Sequence, residues 1–175
     1  MGLQYANLDA DTRGRMAAEI EADTKAGTLY ISNYLSPRGA GEWPGLLLKA
    51  AQEHNDDWLA QQLAGGGRLL QEVEKRKPKG GTTIASVPVT APSTLAEGEF
   101  NRYYVRALCL RANEGSKVVE VYRARASEQP RPESEALIGK RLPATDLLED
   151  LRKSPGVEAS LGLARPNSGL SVRLV

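Results

Sequence analysis

EFNRYYVRALCLRA, from Glu99 to Ala112, followed by KVVEVYRAR, from Lys117 to Arg125, decides how this chain folds. In the first run Phe100, Tyr104, Ala107, Leu108 and Arg111 recur at steps of three and four, the spacing of one helix face, and Tyr103 and Leu110 widen it. Arg102 and Arg106, four apart, form a second, basic stripe. Thr94 and Glu97 have capping-box spacing, so the helix is predicted from about Leu95 to Asn113, with Gly115 closing it. In the second run Val119 and Val121 point one way and Val118, Tyr122 and Ala124 the other. Both faces are partly apolar, which predicts a central strand.

Upstream, Thr82 to Thr90 is β-branched and broken by Pro88, which confines it to an edge strand or an extended arm. Before it stand the basic cluster Lys75, Arg76, Lys77 and Lys79 and the run Gly65, Gly66 and Gly67. Three glycines lose too much backbone entropy to sit inside a regular element, so the run marks a boundary. No Gly-Lys-Ser/Thr follows it, as a phosphate-binding loop requires.

The front of the chain reads as helical. Asp9 caps a helix through about Ala26 that Gly27 stops. Ser36, Pro37, Arg38 and Gly39 signal a turn into a second helix, with Pro44 in its first turn and Leu46, Leu47, Ala50 and Ala51 buried. A third, from Asp56 to about Leu63, buries Trp58, Leu59 and Leu63.

Downstream, Ser127 to Glu135 is a polar, proline-punctuated loop. Arg123 with Glu133, Ser134 and Glu135 resembles the acid motif of ADP-ribosyltransferases, but the serine-bearing strand of that family is missing; pairing of Glu133 and Glu135 to arginines is predicted instead. A last helix from Ala144 to Lys153 turns Leu147, Leu148 and Leu151 inward. After the turn from Pro166 to Gly169, Leu170 to Val175 alternates as a strand, which must pair with a sheet edge of its own chain or of a neighbour.

The predicted class is α+β: a helical N-terminal part, then a small sheet with a central amphipathic helix and extended arms. The corresponding division is a helical subdomain over 1–64, a Gly-rich and basic linker over 65–81, and an α+β domain with a C-terminal strand over 82–175.

Composition narrows the chemistry. One cysteine, Cys109, excludes an intrachain disulfide, and one histidine, His54, cannot complete a zinc site with it unless acids or a second chain join them. Cys109 lies between Leu108 and Leu110, where cysteine behaves as a small apolar residue. No catalytic residue, cofactor site or metal site is therefore predicted, and the chain is read as non-enzymatic. The net charge of +1 is unevenly spread: residues 1–67 carry five Lys/Arg against nine Asp/Glu, residues 68–125 eleven against six, and residues 126–175 seven of each. An acidic front and a basic middle can attract one another within or between copies. A pI near 7.8 makes nucleic acid the lesser alternative, and no run approaches the length that spans a bilayer.

Taken together, GEFNRYYVRALCLRA, VYRAR, PRPESEALIG, LLEDLR and PNSGLSVRL resemble a family of tailed-phage and prophage proteins. The likeness covers residues 82–175 well and the helical front more loosely. It implies a virion component, made in the host cytoplasm, whose partners are other virion proteins and copies of itself, with no membrane. On this reading Arg102 and Arg106, the cluster Lys75, Arg76, Lys77 and Lys79, and the strand carrying Leu170, Val172 and Leu174 are the binding determinants, the strand as an augmenting edge. The alternative is a small cytosolic phage protein that binds a host protein or nucleic acid through its basic middle.

Overall fold

The computed structural model describes residues 2–126, 130–156, 160, 161, 163, 165 and 167–175. Ser127 to Gln129 of the polar loop and Pro166 of the last turn lie outside the described residues. The chain is α+β with a helical N-terminal part. Helix α1 (Ala10–Ala26) starts where Asp9 accepts a hydrogen bond from Thr12 N and ends at Gly27, whose φ of 71° suits glycine. Helix α3 (Asp56–Ala64) is capped by Asn55, which accepts from Trp58 N.

Helix α2 (Pro37–Glu53) begins seven residues before Pro44, which was expected in its first turn. Ser36 is its cap, accepting from Gly39 N, and Pro37 takes the first position, where a missing N–H costs nothing. Pro44 therefore sits inside the helix. The longer helix buries Trp43 completely, and the indole donates to Tyr30 O at 2.9 Å. Leu46 and Trp58 are only half-buried.

Helix α4 (Ala91–Asn113) starts four residues before Leu95 and has no side-chain cap. Thr94 and Glu97 lie within it and serve tertiary contacts instead: Glu97 pairs with Arg125 and accepts from Asn167 N at 3.0 Å. Nor is α4 amphipathic in the one-faced sense, because every residue from Leu95 to Cys109 is buried. Helices α1, α3 and α6 (Ala144–Lys153) surround it together with a three-stranded sheet. That sheet has the order β4 (Arg141–Pro143), β3 (Val118–Arg123), β5 (Leu170–Leu174), so β3 is central and both pairings are antiparallel. A short helix, α5 (Pro132–Glu135), lies in the connection before β4. One apolar cluster runs from Met16 and Ile20 through Trp43, Leu59 and Phe100 to Val121 and Val172.

The stretch 65–81, read as a linker, contains β1 (Glu72–Arg76), which forms an antiparallel hairpin with β2 (Thr82–Ser86). Its root is fastened to the helical front: Ser36 N donates to Arg68 O and Leu70 N to Tyr34 O, both at 2.9 Å. Gly39 packs so closely on the Arg68 carbonyl that a Cβ there would collide with it. No described helix is long and apolar enough to cross a membrane.

Candidate functional site

The two arginines predicted to face a partner are interior. Arg106 is 3% exposed and Arg102 4%. Arg106 donates from Nε to Glu19 Oε2 at 2.7 Å and from Nη1 to Asp23 Oδ2 at 2.6 Å, and its guanidinium lies 4.7 Å above the Tyr103 ring. Tyr103 OH donates to the same Asp23 oxygen, and Arg152 Nε reaches Glu19 Oε2 at 3.1 Å. Burial pushes Glu19 up, but the Arg152 and Arg106 guanidiniums outweigh it and hold it below its ordinary value. Burial also opposes ionisation of Asp23, and hydrogen bonds from Arg106 and Tyr103 again win. Such a network is costly to break on one side, because the remaining charge stays buried. The basic stripe of α4 is thus a clamp onto α1 and α6, which corrects its reading as a docking surface.

Beside this clamp lies a cavity of about 410 Å³. Tyr30, Ser32, Tyr34, Leu95, Glu99 and Arg102 are among its walls. Arg102 Nη1 donates to Leu151 O at 3.0 Å and its Nε stands 3.6 Å from Glu99 Oε1. Burial pushes Glu99 up to about 7, with Arg102 and Arg106 opposing. The cavity could admit a small polar molecule, yet its polar lining already serves the fold, Ser32 Oγ accepting from Tyr34 N and Arg102 holding the end of α6. Among the described residues no three His, Cys, Asp or Glu gather as metal ligands. His54 stacks on Trp58 at 4.2 Å where α2 ends, and burial pushes the Cys109 thiol up to about 12.

The strand predicted to augment a neighbour has paired within its own chain. Leu170 and Val172 are buried, and Leu174 half-buried. Val121 N donates to Lys140 O and Val121 O accepts from Gly139 N, so Glu120 and Tyr122 address β5 and their partners Arg173 and Ser171 face back. The backbone groups of Leu170, Val172 and Leu174 therefore point outward. Three of these are already bonded: Leu170 O accepts from Asn101 Nδ2, Leu170 N donates to Ser168 Oγ, and Leu174 N donates to Asn7 Oδ1. Glu135 and Glu133 meet Arg123 and Arg165, as their predicted pairing to arginines requires.

The hairpin is the opposite case. Lys75, Arg76, Lys77 and Lys79 are all exposed, and among the described residues none joins an ion pair with the neighbouring Glu72 or Glu74 or with any other acid. Only Val73 of the two strands is buried. Val87 N donates to Gln71 O and Lys77 N to Gly81 O, so the odd-numbered residues bond across the hairpin and the even-numbered ones, Glu72, Glu74 and Arg76 on β1 and Thr82, Ile84 and Ser86 on β2, turn their backbone groups outward. Among the described residues no third strand covers either edge. Ile84 is 70% exposed and Val89, just beyond β2, 96%.

Sequence reasoning found the basic cluster and the edge character of residues 82–86, whereas residues 88–90 lead into α4. It missed Ile84, for which the signal was present: TTIAS is an uncharged β-forming run flanked by Gly81 and Pro88. It also missed the cavity, whose walls come from segments far apart in the chain. No protein-family model, curated protein or solved structure matches the chain.

Proposed function

We propose that the protein is a non-enzymatic structural component of a tailed-phage particle, a capsid decoration or connector protein that binds copies of itself and a shell protein. The observation that carries this reading is the hairpin Glu72–Ser86, a projecting arm with almost no buried side chain and, among the described residues, no strand on either edge. A two-stranded ribbon is marginal alone in water, and an arm of this kind gains its order by lying on another surface. The well-satisfied body behind it suits a rigid platform from which the arm projects. The likeness of the residue 82–175 motifs to phage and prophage proteins points the same way.

Mass spectrometry of purified particles, quantifying this chain against the major capsid protein, tests the proposal. A copy number comparable to the capsid protein supports decoration, and a single ring's worth supports a connector. Absence from particles overturns it.

One observation favours a second reading. Lys75, Arg76, Lys77 and Lys79 project without acidic partners among the described residues, and such a tip suits the phosphates of a nucleic acid or the acids of a host protein. Salt-dependent retention on DNA, lost on replacing these four residues, is what that reading requires.

A further inference from the structure

The two open edges of the hairpin are chemically unlike. The outward-bonding residues of β1 are Glu72, Glu74 and Arg76, and charged side chains of this kind guard an edge against pairing. Those of β2 are Thr82, Ile84 and Ser86, uncharged and β-branched at two of three positions. Both edges are long enough for only a few bonds, β2 being closed at one end by Pro88 and at the other by Gly80 and Gly81.

Symmetry sharpens the difference. When two copies of one strand pair antiparallel, a two-fold axis stands perpendicular to the sheet and passes through one residue pair. Outward-bonding residues then lie opposite one another and exchange both backbone hydrogen bonds. Centred on β1, this register sets Glu74 against Glu74 of the second copy, like charges directly opposed. Centred on β2, it sets Ile84 against the second copy's Ile84, with Thr82 and Ser86 opposite one another on either side. Two exposed isoleucines leave water, and no charge is buried or opposed.

We propose that β2 pairs with β2 of a second copy of this chain, symmetric about Ile84, joining two hairpins into a four-stranded antiparallel sheet. The inference rests on reading the hairpin as an assembly arm, and it names what that arm grips. The bodies lie on the same face of the joined sheet, since the axis perpendicular to it keeps Val73 and Ala85 on one side in both copies. The charged β1 strands become the outer edges, which stops growth at two hairpins. Five residues per strand bury far less than the roughly 1,000 Å² of a stable interface, so the pair is weak in dilute solution and tightens where copies are held side by side.

Disulfide trapping reads a weak pair directly. Residues opposed in a bonded antiparallel pair have Cα atoms about 5.5 Å apart, within the range a disulfide spans. Ile84→Cys, oxidised mildly at high protein concentration, is expected to convert mostly to a covalent dimer, whereas Glu74→Cys stays monomeric under the same conditions. The buried Cys109 thiol does not compete. The unmodified chain is expected to show a concentration-dependent rise in mass in sedimentation, and Ile84→Lys, at a position exposed enough to leave the fold intact, is expected to abolish it. Equal cross-linking of the two cysteine variants, masses growing beyond a dimer, or a dimer that survives Ile84→Lys each overturn the proposal. A failure here with copies present in particles rejects the pairing alone; absence from particles rejects the assembly reading itself.

Discussion

Arg102 with Arg106 and the cluster from Lys75 to Lys79 look alike as sequence, two concentrations of positive charge beside aromatic or β-branched residues. The structure sends them to opposite fates. Arg106 meets Glu19 and Asp23, four residues apart on α1, and is drawn inside; Lys75, Arg76, Lys77 and Lys79 form no ion pair among the described residues and remain in water. A charge is buried where another element brings a carboxylate at the right spacing, and such a partner leaves no trace in the local sequence. The acids of the front half, which gave it its negative balance, are in part the counter-charges of α4.

The sharpest way to break this contrast is to remove one side of the clamp. Arg106→Ala strands Glu19 and Asp23 in the interior and is expected to cost roughly 3–5 kcal/mol, read as a lower urea midpoint. A loss below 1 kcal/mol would mean that the clamp is solvated. Next in size is Asn101→Ala, which strips Leu170 O and the Ser171 hydroxyl of their partner and is expected to cost about 2 kcal/mol.

The pH dependence separates the buried acids from one another. Glu99, raised to about 7 from an ordinary 4.5, holds a proton in the folded state that the unfolded chain releases, so stability declines as pH climbs between those values. Glu19 and Asp23 are lowered, so their contribution is complete above their ordinary values and lost as pH falls through the lowered ones. The combined contribution of these three acids is therefore greatest in mildly acidic solution. Urea midpoints across pH should show a shallower declining limb in Glu99→Gln, burial of Asp56 supplying a decline of the same sign; an unchanged limb assigns it away from Glu99.

The smallest effect belongs to the tip. Replacing Lys75, Arg76, Lys77 and Lys79 together by serine is expected to change stability by no more than about 0.5 kcal/mol per site. Melting curves check this. A large loss would show that these side chains hold the body together after all.

What could be read beforehand was what neighbours in sequence decide. Asp9 and Gly27 bracket α1, α3 starts at Asp56 as predicted, and β3 and α6 follow from alternation and from a leucine stripe. Where one signal could serve two purposes, the reading slipped. Ser36 and Pro37 looked like a turn and are a helix cap with its first residue; Thr94 and Glu97 looked like a cap and hold Asn167 and Arg125. Strand β1 was illegible because EVEKR has little β preference, and the glycines Gly80 and Gly81, both at positive φ, fold it back against TTIAS. The interior position of Arg102 and Arg106 depends on α1 and α6, and the blocked edge of β5 depends on Asn7 and Asn101. Those are facts of assembly between distant segments.

One such assembly sets an order of events. The segment from Leu3 to Asn7 is clasped entirely by later residues: Leu3 N by Asp56, Asn7 N by Tyr104 OH, Gln4 N by Ala124 O, and Leu174 N by the Asn7 side chain. On the ribosome the earliest of these segments emerges long before the last strand exists. Its final hydrogen bond spans 167 positions and closes only after β5 is synthesised. The contacts that enclose Leu3 to Asn7 are thus of high sequence separation, the kind whose loop-closure entropy delays them in folding.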